Sequence, residues 1–217
     1  MLQVSRRAPV RGPTFIRLIA RLAEIDVAHP ESTLSDRLGQ WIDWTHAVAL
    51  SRALDDAPVA GPDPPDTVDA DAGDCARTRA ALAAAIADAP LPAPTDGSAT
   101  SGADDVRKQC LARQRAMQAE AGRLRGHLRD RLATQSPAMA RLAEIDAVME
   151  QVLSPREHAL LASIPDLLGR HFERLRGQAG GDAWHAAFRR DMQGVLLAEL
   201  DVRFHPIEGL LAALRHH

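Results

Sequence analysis

Aromatic residues are scarce in this chain: they make up 3% of 217 residues, and tyrosine is absent. Alanine, leucine and arginine, which favour helices, are abundant instead, whereas aromatic side chains favour strands. A sheet would therefore be poorly supplied with its preferred residues. The composition predicts an all-α protein whose helices pack through aliphatic side chains.

The chain also has few cysteines and no long apolar run. Cys75 and Cys110 are far apart and lack CxxC spacing, so neither a zinc site nor a disulfide framework is indicated, and a reducing, cytoplasmic location is expected. The longest apolar stretch, AALAAAIA at residues 80–87, is too short to span a bilayer, and the N-terminus lacks the pattern of a secretory signal. We therefore expect a soluble protein without a transmembrane segment.

Lysine occurs once, at Lys108, and the charges are unevenly distributed. Residues 55–105 carry two basic and eleven acidic residues, with many prolines, and this composition opposes a packed element. The sequence thus predicts an N-terminal helical pair at 1–54, a disordered acidic Pro/Ala/Asp linker at 55–105 with a possible short helix at 75–88, and a C-terminal helical body at 106–217.

Apolar spacing locates two helices in the first block. One is predicted over residues 13–27, and the second over residues 33–54, where Leu34, Leu38, Trp41, Thr45 and Val48 recur at steps of three and four. The wide apolar face of the first helix predicts that it is buried against the tryptophan-containing second helix.

The C-terminal block begins with a long predicted helix over residues 103–134, with a heptad-like seam of Cys110, Met117, Ala121, Leu124 and Leu128. Helix starts are predicted at Ser136-Pro137 and Ser154-Pro155, where serine caps precede prolines. A break near Pro165, a helix over residues 182–204 and a short last helix after Pro206 complete the expected bundle or hairpins.

The heptapeptide ARLAEID occurs at residues 20–26 and again at 140–146. The residues that flank the two copies do not match, so a duplicated module is not indicated. Within each copy, Leu and Ile three apart face inward while Arg and Glu three apart can pair on the exposed side. The repeat is interpreted as a coincidence between two amphipathic helices that use the same pattern of apolar and charged residues.

No motif for catalysis, a cofactor or a metal stands out. The nine histidines show no HExxH or paired i,i+4 spacing, and no phosphate loop or nucleophile elbow is present. Asp43, His46 and Ser51 suggest a triad, but on a helix Ser51 lies well apart from His46 around the axis. We therefore predict no enzymatic activity and assign no catalytic, cofactor-binding or metal-binding residues.

The long predicted helix carries an excess of basic residues, which forms the candidate interaction surface. Its members are Arg107, Lys108, Arg113, Arg115, Arg123, Arg125, Arg129 and Arg131. Three interpretations remain open: a solvated face, a contact with an acidic partner or with the acidic linker folded back, and a nucleic-acid site. No aromatic residue interleaves with these arginines to stack on bases.

An arginine-rich leader precedes an apolar edge at the N-terminus, as in a weak interfacial anchor. The leader arginines are Arg6, Arg7, Arg11, Arg17 and Arg21. Peripheral membrane contact is therefore possible, although burial of the helix is favoured.

Five segments, RGPTFIRLIARLAEID, LSDRLGQWIDWTHAVALSRAL, QRAM, FERLR and DMQGVLLAELDVRFHPIEGLLAALR, together resemble an uncharacterised proteobacterial family known only as a domain of unknown function. The resemblance implies a cytoplasmic bacterial helical protein, accessory to an envelope-associated assembly, and carries no catalytic residues. We therefore predict a non-enzymatic interaction or scaffold protein that binds a protein partner or self-associates through the heptad-like seam. The alternative is a nucleic-acid-binding module that uses the Arg-rich helix at 107–131.

Overall fold

The structure, a computed structural model, describes residues 14–24, 34–55, 68–90, 99–178 and 183–215. Its elements are α1 (Thr14–Ala23), α2 (Leu34–Trp41), α3 (Trp44–Asp55), α4 (Val68–Ala87), α5 (Ala99–Gln135), α6 (Pro137–Leu161), α7 (Ile164–Gln178) and α8 (Ala183–Arg215). No strand occurs among these residues. The predicted all-α class is confirmed.

Helix α5 is the central element, and α4, α6, α7 and α8 pack around it. Its apolar stripe is fully buried, with exposed fractions of 1% or less at Cys110, Met117, Leu124, Leu128 and Leu132. The first four of these side chains belong to the heptad-like seam that the sequence predicts for self-association, and Ala121, its fifth member, is partly buried. Because the seam lies inside the chain's own core, it is not available to a second copy, and that prediction is wrong.

Helix α1 packs mainly against α7 and α8, whereas α3 packs against α6. The predicted burial of the first helix is confirmed by Phe15, Ala20 and Leu22, but its predicted partner, the tryptophan-containing helix, is wrong. Helices α7 and α8 offer α1 a larger apolar surface than the short, partly exposed helix α2 could supply.

The single helix predicted over residues 33–54 is two helices, because Asp43 starts a new one. The N–H of His46 donates to Asp43 Oδ1 over 2.9 Å, and the N–H of Ala47 donates to the Asp43 carbonyl. This side-chain cap competes with continuation of α2. Trp44, the first residue of the new helix, is 84% exposed.

The acidic middle block contains a 20-residue helix, α4, which is longer than the predicted 75–88 segment. It packs against α5 and α8 and buries Cys75, Leu82 and Ile86. Residues 99–105 of the predicted linker belong to α5, so the linker prediction is wrong there. Residues 56–67 and 91–98 lie outside the described residues, as does the leader before residue 14. The domain boundaries stay a prediction, although α1, α3 and α4 all contact helices of the predicted C-terminal body.

The cap at Ser136 is confirmed, since its side chain accepts a hydrogen bond from the N–H of Met139 over 3.2 Å. The start predicted at Ser154-Pro155 is wrong, because Pro155 lies inside α6. Pro206 likewise lies inside α8, which continues to Arg215. Each proline removes one backbone donor, but a continuous helix keeps buried residues on both sides of it in the core, as Phe204 and Ile207 show. The break near Pro165 is confirmed, since α7 begins at Ile164.

Candidate interaction surfaces

The first basic residues of α5 pair with acids of their own turn and of α7. Arg107 lies 2.7 Å from Asp104 and 3.2 Å from Asp166, and Lys108 lies 3.7 Å from Asp105. These are exposed or half-exposed ion pairs, which contribute little to stability. Their consequence is electrostatic: the acids reduce the net positive charge at this end of α5.

Two carboxylates of α4 cover the middle of α5. Asp74 accepts a hydrogen bond from Arg123 over 3.3 Å, and Asp71 accepts one from Arg131 over 3.2 Å and lies 2.9 Å from His127 Nε2. The hydrogen bond from Arg123 to Glu120, followed by the one to Asp74, raises the pKa of Arg123. The possibility that the acidic segment folds back on this helix is therefore confirmed for the part within α4.

The α6 face of α5 carries the best-formed ion pairs. Arg125 donates to both carboxylate oxygens of Asp146 over 2.8 and 2.7 Å, and Arg129 donates to Glu150. Burial alone lowers the pKa of Arg125, but the hydrogen bond and charge of Asp146 outweigh it, so the pKa is raised. Such bidentate pairs are the strong, geometrically specific ones. They tie α6 to α5.

Six of the eight predicted surface residues thus have an acidic partner within the chain. For Arg113 and Arg115, no ion pair is found among the described residues; Arg115 is exposed, whereas Arg113 Nε is buried without a hydrogen-bond partner. The eight residues do not form one open cationic face, because α4, α6 and α7 each cover part of the helix circumference. The structure brings together Arg125 with Arg129, and separates these two from Arg107 and Lys108.

Sequence inspection missed a buried carboxylate on α8. Glu199 is 0% exposed; it accepts a hydrogen bond from Gln114 Nε2 over 3.0 Å and from Arg203 over 2.8 Å. Gln114 also donates to the Leu161 carbonyl, at the end of α6. Burial raises the pKa of Glu199, and the bonds from Gln114 and Arg203 oppose the rise. The signal in the sequence is a glutamate inside the apolar run VLLAELDV.

A polar cavity of about 220 Å³ lies beside this network, between α5, α6 and α8. Its charged walls pair with one another: Arg203 lies 3.5 Å from Glu157, and Arg125 lies 3.5 Å from Glu150. The cavity is large enough for a few water molecules or a small polar ligand. Each of the two arginines in its wall therefore has a glutamate partner in the same wall.

Neither cysteine is suited to nucleophilic chemistry. Burial, together with the charge of Glu199, raises the pKa of Cys110 to about 12, and burial raises the pKa of Cys75. Both residues are free and buried. Since the thiolate is the reactive form, the raised pKa of each thiol lowers its reactivity. Within the described ranges, no group of three or more His, Cys, Asp or Glu side chains is arranged to hold a metal ion.

Asp43 and His46 do meet, at 2.7 Å between Oδ1 and Nδ1, but their arrangement is structural. Asp43 caps α3, and the N–H of His46 is the first cause of its lowered pKa. Ser51 lies five residues beyond His46, about 7.5 Å along the helix axis, so it is not placed to give a proton to His46.

An apolar groove between α2 and α3, about 500 Å³ in volume, is open to solvent and is called the α2–α3 groove. It is lined by Gly39, Ile42, Ala47, Leu50, Ser51 and Leu54. Leu54 is 63% exposed, and Trp44, on the same helix, is 84% exposed. A Cβ added at Gly39 would meet no atom within 4 Å. No candidate site was predicted from these residues; the capping Asp43 after Trp41-Ile42 is the signal that two helices, and a cleft between them, form here.

The apolar face of α1 is part of the protein core. Arg21 lies 3.0 Å from Asp191, and Arg174 donates to the Leu22 carbonyl over 3.1 Å and lies 3.4 Å from Glu24. The predicted pairing of Arg21 with Glu24 is therefore wrong, because each finds a partner on α8 or α7. Among the helices of the described chain, none has both the length and the apolarity needed to cross a bilayer.

Comparisons with other proteins place the chain in a family. Neither the curated proteins nor the solved structures contain a match to this chain. A family model described as "Protein of unknown function (DUF3348)" matches residues 1–216, which is nearly the whole chain. The match confirms the expected resemblance to a family of unknown function and covers both helical blocks and the acidic segment between them. The chain is a member of the DUF3348 family.

Proposed function

We propose that this protein is a non-enzymatic helical interaction protein, in which a helical body presents the α2–α3 groove for docking. The observation that carries the proposal is the groove together with exposed Trp44 and Leu54. Exposed apolar patches of this kind mark protein interaction sites, and tryptophan is among the residues most enriched in binding hot spots.

The groove has the features of a site for a helix. Ala47, Leu50, Ser51 and Leu54 lie at i, i+3, i+4 and i+7 along α3, which is the spacing used by helices that dock in grooves. Small side chains at Ala47 and Ser51 permit close approach, and Leu50 and Leu54 supply apolar contact. The opposite wall, Gly39 and Ile42, belongs to α2.

The body supports this role by holding the docking element in place. Helix α3 packs on α6 and buries Ala53, and the guanidinium of Arg156 in α6 lies 4.9 Å from the ring centroid of Trp41. Cation–π contacts of this kind contribute about 0.5–1 kcal/mol at exposed sites. The free, buried cysteines support the cytoplasmic location that we propose.

Nucleic-acid binding through residues 107–131 has less support. Six of the eight basic residues already pair with carboxylates of the chain, as shown by Arg125 with Asp146 and Arg131 with Asp71. Phosphate binding would have to break these pairs, which reduces the gain from counterion release.

The test is an affinity pull-down from native cells with the full chain, with and without nuclease, comparing wild type with Leu54→Asp. The matched control is Leu160→Asp, since Leu160 is a similarly exposed leucine on α6, outside the groove. We expect the wild-type chain to retain proteins, including envelope-associated ones, and we expect this retention to persist after nuclease treatment. Leu160→Asp should retain the same proteins. Leu54→Asp should retain roughly 30-fold less of them, as for a hot spot of about 2 kcal/mol. Equal retention by both variants would contradict the groove as docking site, and retention that disappears with nuclease would favour nucleic acid.

A further inference from the structure

We propose that the occupant of the α2–α3 groove is the same element of a second copy of this chain, so that two α3 helices pack antiparallel about a two-fold axis. The proposal rests on the proposed function in that both use this groove. It names the second copy as the partner, and it replaces the buried α5 seam as the surface for self-association.

A two-fold interface requires that both complementary features lie on one patch, because each copy presents the same surface to the other. The α2–α3 unit meets this requirement. Trp44 is a side chain that is 84% exposed, and the groove of about 500 Å³ is left open by the residues that the structure describes. Tryptophan is also the largest contributor of contact area among side chains.

Both features lie on one face of α3. At about 100° per residue, Trp44, Ala47, Ser51 and Leu54 fall within about 80° of one another around the helix axis. Their spacing of three, four and three residues is the a/d repeat of a two-helix seam. Buried Ala53 falls on the opposite side of α3, so the face toward α6 and the seam are distinct.

The seam is symmetric about Ala49. Its side chains read large, small, small, large from Trp44 through Ala47 and Ser51 to Leu54. In an antiparallel pair centred at Ala49, Trp44 of one copy therefore lies at the level of Leu54 of the other, and Ala47 at the level of Ser51. The small pair allows the axes to approach closely while the large pair closes each end, which is how antiparallel helices interdigitate.

Charge also favours a second copy over a charged partner. Between Asp43 and Arg52, α3 has no Asp, Glu, Lys or Arg, and the residues beside the seam, Val48 and Leu50, are apolar. A strongly acidic or basic helix would find no complementary charge along this stretch, whereas a second α3 is equally neutral and equally apolar there. The contact is short, so we expect a weak dimer, with a dissociation constant on the order of micromolar.

The decisive experiment is cross-linking of two full-length single-cysteine additions, Ala47→Cys and Ser51→Cys, under mild oxidation. Native Cys75 and Cys110 are buried and give little background. In the antiparallel pair, position 47 of one copy meets position 51 of the other, so we expect a disulfide-linked dimer when the two variants are mixed and much less with either alone. Cross-linking of each variant with itself, or none in the mixture, would overturn the antiparallel arrangement.

Sedimentation equilibrium of the full chain over a wide concentration range gives a second readout. Trp44→Ala and Ser51→Arg should each raise the dissociation constant at least roughly 30-fold, as for loss of a hot spot of about 2 kcal/mol, whereas Leu160→Arg should not change it. A wild-type chain that stays monomeric at the highest concentration would refute self-association. If the wild-type chain is monomeric but Leu54→Asp still loses a protein that the wild type retains in the pull-down, the proposed function stands and self-association is refuted. If the chain dimerises but retains no other protein, self-association stands and docking of another protein is refuted.

Discussion

Helix α5 and the α2–α3 unit differ in how the chain uses their most conspicuous residues. The basic residues of α5 look like a binding surface in the sequence, but carboxylates of α4, α6 and α7 pair with most of them. The tryptophans of α2–α3 look like a core in the sequence, but Trp44 is the most exposed large apolar side chain among the described residues. The exposed and the internally paired residues are thus exchanged relative to what the sequence suggests.

The comparison shows that a helical fold pairs charged side chains internally more easily than it covers apolar side chains at helix ends. Long arginine side chains reach acids on neighbouring helices from many positions, so a cluster of charge is easily absorbed by a helical bundle. An apolar side chain at a helix terminus can be buried only if another element lies directly over it. Uncovered apolar area is therefore the feature on which the proposed docking site rests.

The largest expected effect comes from breaking the internal pairing of the body at Glu199. Glu199→Ala should lower the free energy of unfolding by about 3–5 kcal/mol, because it leaves a cavity in the core, takes one of two acceptors from Gln114 and leaves partly buried Arg203 with only the more distant Glu157. Urea denaturation followed by circular dichroism measures the loss. The matched control is Glu208→Ala, which removes an exposed partner of Arg79 and should cost less than about 1 kcal/mol.

The same variant carries a pH signature. Because burial raises the pKa of Glu199 above its unfolded value, its contribution to stability is complete below the unfolded pKa and is lost as the pH rises through the raised pKa. The deficit of Glu199→Ala relative to wild type should therefore be largest in acid and narrow as the pH rises. A deficit that grows with pH would contradict this assignment.

One chemical change made in both regions sharpens the comparison. Leu128→Ala, in the buried stripe of α5, should destabilise the fold by about 2–5 kcal/mol through lost burial and a cavity. Leu54→Ala, at the groove, should change the unfolding free energy by no more than about 0.5 kcal/mol at low protein concentration. Thermal denaturation distinguishes them, and equal destabilisation would show that Leu54 is part of a core.

The glycines give a further pair. Gly39→Ala should stabilise α2 by about 0.5–1 kcal/mol, because the added Cβ meets open space and the helix loses a flexible residue. Gly169→Ala in α7 should give no such gain, since its Cβ would lie 2.8 Å from Arg107 Nε and displace the partner of Asp166. Amide hydrogen exchange of α2 and α7 measures both; a slower exchange in both helices would contradict the difference in packing.

The smallest expected effect is at the cap that separates α2 from α3. Asp43→Ala should speed amide exchange in the first turn of α3 several-fold, whereas Asp43→Asn should keep most of the cap. Because the N–H of His46 lowers the pKa of Asp43, the carboxylate's contribution is present above the unfolded pKa and is lost as the pH falls through the folded value. Protection of the first-turn amides of α3, corrected for the intrinsic pH dependence of exchange, should therefore fall in acid in the wild type but not in Asp43→Asn.

Local rules succeeded where one residue acts on its own turn. The serine cap at Ser136 and the break before Pro165 follow from side-chain and ring geometry, and both are confirmed. The starts expected at Pro155 and Pro206 failed, because the missing donor costs less than the burial of Val152 and Ile207 in an unbroken helix. The groove was not predicted because one capping residue, Asp43, is weak evidence for a break in a helix that the apolar spacing predicts to be 22 residues long.

By itself, the sequence determined the helical class, the burial of α1 and the membership in a family of unknown function, since composition, periodicity and similarity are properties of the chain alone. Only the tertiary structure decided that α4 neutralises Arg123 and Arg131, that Glu199 is enclosed, and that Trp44 faces solvent. The physical reason is that pairing and exposure depend on which distant helix lies over a given face, and helical periodicity specifies the face without specifying its neighbour.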